Sequence, residues 1–375
     1  MQHARVRPTQ TPPRAHVDTQ ALEAGKKFVD ELLADTRDAR GNPRYSARMS
    51  RLLSIAAGWA YSDPEMLSNV LHRNGLVDNR CEFIGVVNNA LFVCAKVFLI
   101  QSQDGRLGIL CFRGTEPTNA INWMTDAGVA PETFHCSPSG KGEVHGGIFR
   151  NLMALWPSVL PDLEKALQGQ SIFVGPPPTE GAEVIALPDK GRATAREPRL
   201  KPMEALYITG HSLGGAMAAL AAALLYKGVH RDAELYVRLR SLLRGTYTYG
   251  APMVGDASFA RLCESFDSSH YRHVYKNDIV PHMPPVATGA FQHFGQQYRW
   301  SDATQRWERS REPTRQVQTI ILSSAIGALD WLRQQLVAFR KLNRLLPYSW
   351  EAHSPVHYMN TSIEQTVRQR PEFGG

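Results

Sequence analysis

Cysteine is scarce in this sequence. Five are scattered over 375 residues, at positions 81, 94, 111, 136 and 263, too few for a disulfide scaffold and with no Cys-x-x-Cys pair to hold a metal or cycle thiols. Cys94 and Cys111 fall inside apolar strand-like runs and are expected to be plain buried thiols. No apolar stretch approaches the roughly 18 uninterrupted residues of a spanning helix, so a membrane role is limited to a peripheral one. Residues 1–20, rich in Pro, Arg, Thr and Gln, lack the apolar segment of a secretory signal. The expectation is a cytoplasmic or membrane-surface location, with a sequence that begins after processing, or another export route, as the alternatives. None of His135, His145, His270, His273, His282 and His293 belongs to a His-Glu-x-x-His pair. Those histidines are read as structural, and no metal and no cofactor is expected. Charge is modest too: 42 basic and 35 acidic residues leave a net +7. With no aromatic-punctuated basic run and no zinc-finger spacing, nucleic acid is not an expected partner. The same balance suits an approach to anionic lipid headgroups.

What the chain does have is Ala205 to Gly215, Ala-Leu-Tyr-Ile-Thr-Gly-His-Ser-Leu-Gly-Gly, running into an alanine- and leucine-rich stretch to Leu225. The first part reads as a buried strand, the glycines as a tight turn and the remainder as a helix. In that order of elements, Gly-x-Ser-x-Gly places the Ser212 hydroxyl on a sharp elbow clear of the sheet edge. Side chains at 210 and 214 would collide with the neighbouring strand or helix. Leu213 begins the helix, where an unpaired backbone N–H and the helix dipole favour a developing negative charge.

Around this elbow the chain alternates between the two periodicities. A flexible arm (1–20) precedes helices within 21–76, among them Ala21 to Arg37 and Tyr45 to Tyr61, and Asp63 caps a third that starts at Pro64. Phe83–Val87, Ala90–Gln101 and Arg106–Phe112 read as strands, the last two joined by an Asp104-Gly105 hairpin turn. Gly147 to Leu167 is an amphipathic helix interrupted by Pro157, and 168–203 is a Pro- and Gly-rich surface insertion. Beyond the elbow come a basic helical segment, the strand Thr246–Tyr249, a helix through Phe266 and the strand His270–Tyr275. Strands alternating with helices imply one α/β domain (21–375) with a mostly parallel sheet covered on both faces.

A serine hydroxyl needs a neighbouring base, itself held by a third group. In sheets with such an elbow the partners follow in the order Ser, acid, His. Asp278 lies just past a strand end, at the edge where such sheets place their sites. For the base, His353 and His357 both follow it, and spacing alone does not choose between them.

Phe112-Arg113-Gly114-Thr115, Val144-His145-Gly146-Gly147, the Ser212 elbow, Thr248 to Gly255, Asn277-Asp278-Ile279-Val280-Pro281 and the His353 block occur in succession. Together they resemble the motifs of the class 3, or fungal-type, lipase family, from about residue 83 to 360, with residues 1–80 outside the match. The resemblance implies an α/β-hydrolase fold, Ser212 as nucleophile, Asp278 as orienting acid and a histidine of the last block as base. His353, followed by Ser354 and by Tyr358 five residues on, fits the pattern better than His357. It also implies an oxyanion hole from the backbone N–H groups of Leu213 and Thr115, and a lid within Glu116 to Asp126 that offers Ile121, Trp123 and Met124.

The resemblance thus implies a carboxylic ester hydrolase acting on an ester lipid, most naturally an acylglycerol. A phospholipase A1 or short-chain esterase is the alternative within enzymes, and an inactive lipase-like lipid- or partner-binding protein the alternative outside them. A helical insertion at 299–350 is expected, in which Gln316 to Leu346 places leucines at steps of three and four between basic flanks. Such a face packs on the sheet or lies on an anionic membrane or lipid-droplet surface.

Overall fold

The computed structural model describes residues 19–88, 93–114, 130–136, 140–172, 200–228, 233–317 and 348–367. At its centre is an eight-stranded sheet in the order β1 (Arg80–Asn88), β2 (Val93–Gln101), β3 (Leu107–Phe112), β6 (Ala205–His211), β7 (Leu243–Tyr249), β8 (His270–Val274), β9 (Gln296–Ser301) and β10 (Arg306–Ser310). Strands β3, β6, β7, β8 and β9 run parallel, and the antiparallel pairs β1–β2–β3 and β9–β10 form the two edges. Apart from this sheet, β4 (Pro131–His135) and β5 (Lys141–His145) make a small hairpin. The turn into β3 is the expected Asp-Gly one, with Gly105 at φ 91° and its N–H bonded to the Ser102 carbonyl at 3.0 Å.

The two faces of the sheet are covered separately because residues along each strand alternate in direction. Leu110, Phe112, Leu206 and Ile208 point towards the helices α4 (Gly146–Leu167) and α5 (Leu213–Lys227). Leu107, Ile109, Cys111 and Tyr207 face α1 (Thr19–Asp35), α2 (Ala47–Trp59) and α3 (Pro64–Arg73), together with the C-terminal helix, which is α8 below. The remaining helices are α6 (Ala233–Leu242), α7 (Ala257–Cys263) and α8 (Pro355–Val367). Asp63 caps α3 through Met66 N–H at 2.8 Å, with Pro64 at the first helical position, as its sequence implies. α5 is apolar on every side and buried through its first thirteen residues, Leu213 to Leu225. Its alanines let it lie close against the sheet, so the residue preceding it is set rigidly. Among the described residues no helix is long and apolar enough to cross a membrane.

Four sequence expectations need correction. The helix holding Pro157 is not interrupted: α4 continues through Pro157 and Pro161. Both prolines are on its exposed side, where water can take up the carbonyls that a proline leaves unbonded. Residues 299–310 are not helical but belong to the β9–β10 hairpin, in which Trp300 pairs with Trp307. Tyr298 and Trp300, two apart on one face, carry a period-two signal that the longer leucine repeat after 316 overshadowed. Cys94 is exposed whereas Cys111 is buried, because β2 alternates and Cys94, paired with exposed Val87, points away from the core. Finally, the edges of the 168–203 insertion are anchored rather than superficial, with Ile172 and Met203 in the core. The arm (1–18), the middle of that insertion (173–199) and residues 318–347 lie outside the described residues.

Candidate active site

Ser212 links β6 to α5 with φ 59° and ψ −130°, a conformation that L-residues adopt only when their surroundings impose it. The surroundings here are glycines. A Cβ on Gly210 would lie 2.3 Å from the Gly214 carbonyl, and one on Gly214 would lie 2.2 Å from the Phe112 oxygen. Only bare backbone lets helix, elbow and strand β3 approach this closely. Ser212 occupies the N-cap of α5 without making a capping hydrogen bond and is 2% exposed. The backbone N–H of Leu213, in the first turn of α5, lacks an acceptor within the helix by geometry alone.

Asp278 follows β8, after a turn in which Lys276 has φ 45°. Its carboxylate is fully buried, and each oxygen has defined partners. Oδ1 accepts the Val280 N–H at 2.9 Å, while Oδ2 accepts from His353 Nδ1 at 2.9 Å and from the Tyr358 hydroxyl at 2.5 Å. Burial first, and then the neighbouring carboxylate, push the Tyr358 phenol well above its ordinary pKa, so it stays a donor. Gly250, at φ 60°, makes room for the pair: a Cβ there would be 2.8 Å from Asp278 Oδ2 and 3.0 Å from His353 Nδ1.

His353 sits in a short 3-10 turn, Glu351–His353, immediately before α8. Nδ1 is engaged by the carboxylate, and Nε2 is buried with no hydrogen-bond partner among the described residues. A histidine whose Nδ1–H is held by a carboxylate presents Nε2 as a proton acceptor. His357, one turn along, does not meet Asp278. Its ring stacks on Tyr275, with centroids 5.0 Å apart and planes 11° from parallel.

The residue before the elbow is also engaged. His211 Nε2 is 2.8 Å from the His353 carbonyl oxygen, its Nδ1 is 2.9 Å from the Tyr61 hydroxyl, and its ring centroid is 4.6 Å from that of His353. Burial, and secondarily His353, hold the His211 pKa well below the ordinary value, so the ring is neutral. Sequence reasoning assigned no role to His211, Tyr61 or the Tyr358 hydroxyl. Tyr358 was visible as the tyrosine five residues after His353, but Tyr61 is 150 residues from its partner and no local spacing marks it.

Of the expected oxyanion and lid residues, Thr115, Ile121, Trp123 and Met124 lie outside the described residues. The strand end leading to them comes against the elbow: a Cβ on Gly114 would be 2.6 Å from the His211 oxygen and 3.3 Å from Ser212 Cβ. Among the described residues, no group of three or more His, Cys, Asp or Glu side chains is placed to hold a metal ion.

Comparison with known proteins places these features in context. Residues 198–288, which span the elbow and Asp278, match the family model for Lipase (class 3). Triacylglycerol lipase OBL1 of Nicotiana tabacum is 25% identical over 297 residues, covering 65% of this chain and 50% of the relative. The protein of the same name from Ricinus communis is 25% identical over 350 residues, covering 83% and 64%. A lipase of Rhizomucor miehei is 43% identical over 101 residues, 27% of this chain and 26% of its own. The chain thus spans half to somewhat under two thirds of the two plant relatives. Among solved structures, lipase II from Rhizopus niveus superposes with a TM-score of 0.50 at 22% identity over 71% of this chain and 85% of that one. That likeness establishes a shared α/β-hydrolase fold.

Proposed function

We infer the activity from the premise that the chain belongs to the class 3 lipase family of α/β-hydrolases: it is a serine carboxylic ester hydrolase whose substrate is an ester lipid, an acylglycerol above all. The observation that carries the reading is the His353 ring, oriented through Nδ1 by buried Asp278 and left with a partnerless Nε2 among the described residues, its backbone held by His211, the residue before a serine in a forced backbone conformation.

In the reaction, His353 Nε2 takes the Ser212 proton as the oxygen attacks the ester carbonyl. The oxyanion is held by the backbone N–H of Leu213 and, by the family resemblance, that of Thr115, each contributing about 3 kcal/mol to the transition state. Protonated His353 then gives its proton to the departing alcohol, and water cleaves the acyl-enzyme by the same route in reverse. Asp278 holds the ring through Nδ1 and stabilises the imidazolium. The lid role that the family resemblance implies is assigned to Ile121, Trp123 and Met124, which lie outside the described residues. The basic-flanked leucine stripe of 316–346 and the net charge of +7 favour contact with an anionic lipid surface.

The test is an acyl-chain-length series of glycerol esters, in solution and as emulsions, with a diacyl phospholipid alongside and Ser212→Ala as the control. Preference for long-chain acylglycerol emulsions supports the lipase reading. Preference for the phospholipid or for short soluble esters selects the phospholipase A1 or esterase alternative, and turnover that survives Ser212→Ala refutes the serine mechanism altogether.

A further inference from the structure

The base identified above is held at two points, and only one of them is its carboxylate. The other is the backbone carbonyl of His353, which lies 2.8 Å from His211 Nε2. A carbonyl oxygen only accepts, so Nε2 must carry the proton. Nδ1 of neutral His211 is then a lone pair, and the Tyr61 hydroxyl 2.9 Å away must donate to it. The three groups form a directed chain in which each hydrogen bond fixes the sense of the next.

We propose that Tyr61 is a positioning residue for the reaction: its hydroxyl fixes the tautomer of His211, and His211, which directly precedes Ser212, in turn holds the main chain of His353 in place to receive the serine proton. This rests on the reading of His353 as the base. Without the Tyr61 proton, His211 is free to carry its hydrogen on Nδ1, and a bare Nε2 facing the His353 carbonyl repels what it formerly held. His211 also stays uncharged for this to work. Its burial beside His353 secures that, since a second positive charge 4.6 Å from the imidazolium formed in the reaction would oppose catalysis.

The placement of Tyr61 is itself built in. Helix α2 is fastened along the sheet by polar contacts to the strands that bear the site. The Tyr247 hydroxyl accepts from Ser46 N–H at 3.1 Å, the Tyr249 hydroxyl donates to the Ser50 carbonyl at 2.6 Å, and Ser50 Oγ meets His273 Nε2 at 3.2 Å. α2 ends at Trp59, and Tyr61 follows its C-cap, Ala60. Next to its hydroxyl, a Cβ on Gly114 would approach to 2.3 Å, so the end of β3 leaves room for Tyr61 only as glycine. An element that precedes the family-matched segment 198–288 therefore acts, through His211 inside that segment, on His353 beyond it.

The experiment is a double-mutant cycle on a water-soluble ester, using Tyr61→Phe, His211→Gln and the two combined in the full chain, with each rate normalised by phosphonate titration of competent sites. Phenylalanine keeps the ring and its contact with Arg113, 5.7 Å from the guanidinium, and removes the hydroxyl that donates to His211. Tyr61→Phe is expected to lower kcat about tenfold with KM nearly unchanged, as for a misplaced catalytic group. In the His211→Gln background the same substitution is expected to cost nothing more, because an amide N–H can reach the carbonyl with no tautomer to fix. Wild-type rates in Tyr61→Phe, or equal losses in both backgrounds, overturn the proposal and leave Tyr61 a packing residue. Nitrogen-15 spectra of labelled histidine give an arm that needs no turnover: Nε2–H for His211 in the wild type and a mixture in Tyr61→Phe are expected, and Nδ1–H in the wild type overturns it. If the wild type cleaves no ester, the hydrolase reading fails and the positioning role falls with it, whereas an active wild type with an indifferent Tyr61→Phe defeats the positioning role alone.

Discussion

Asp278 and His353 meet through a single 2.9 Å hydrogen bond, Oδ2 to Nδ1, with the carboxylate fully buried and the imidazole 2% exposed. The acid shares that oxygen with Tyr358 and is tied by its other oxygen to the Val280 N–H, so it cannot turn away from the ring. Asp278→Asn should preserve the packing but offer an N–H where the ring needs an acceptor. A fall in kcat on the order of 10⁴-fold is expected, with a lower urea midpoint because the Tyr358 hydroxyl loses its acceptor too. Tyr358→Phe should leave one buried carboxylate oxygen short of a donor and cost about 1.5–3 kcal/mol in urea unfolding.

The backbone at Ser212 makes a prediction that separates stability from activity. At φ 59° and ψ −130°, any residue with a Cβ is strained by about 1–3 kcal/mol. Ser212→Ala and Ser212→Gly should both abolish ester turnover. The glycine variant should be the more stable of the two by about 1 kcal/mol, after allowance for the extra freedom of glycine in the unfolded chain. Equal melting temperatures for the two would mean the elbow is not strained.

Acid sensitivity should begin early. Burial lowers the pKa of His270 and of His273 to about 3 and that of His145 to about 4. In the unfolded chain these rings bind protons near pH 6.5, so below that pH the unfolded state is favoured. Each histidine then costs about 1.4 kcal/mol per pH unit until its folded pKa is reached, and nothing above pH 7. Neither nitrogen of His270 has a partner among the described residues, so His270→Leu sacrifices no hydrogen bond. Its stability, followed by urea unfolding from pH 7.5 to 4.5, should decline less steeply than that of the wild type by about one histidine's worth.

Thiol accessibility checks the strand alternation. Cys94 is exposed, Cys111, Cys136 and Cys263 are buried, and burial raises the pKa of Cys81, Cys111, Cys136 and Cys263. Iodoacetamide on the native protein at pH 8 should modify Cys94 first, and all five only in denaturant. Fast labelling of Cys111 would mean that β2 and β3 are misregistered.

Much of this architecture is legible in the sequence because it is written in local signals. The strand-elbow-helix around Ser212, the Asp104-Gly105 turn and the Asp63 cap each depend on neighbours within a few residues. The order of Ser212, Asp278 and a terminal histidine narrowed the base to two candidates, but choosing between His353 and His357 depends on which ring reaches across the sheet, and that is a property of the turn before α8. The Trp300–Trp307 hairpin stayed hidden beside a longer helical repeat. The Tyr61–His211 contact was beyond reach for a different reason: it joins the turn after an N-terminal helix to a strand 150 residues on, and one hydroxyl leaves no periodic trace.

The central claim is that Ser212 becomes acylated with His353 as its base. The most direct measurement is to mix the protein with a fluorophosphonate, which traps an activated serine, and to locate the adduct by peptide mass mapping in the wild type, Ser212→Ala, His353→Ala and His357→Ala. A single adduct on Ser212 is expected, lost in Ser212→Ala, slowed by orders of magnitude in His353→Ala and formed at nearly the wild-type rate in His357→Ala. An adduct on another residue, or a Ser212 adduct that forms as fast without His353, would contradict it.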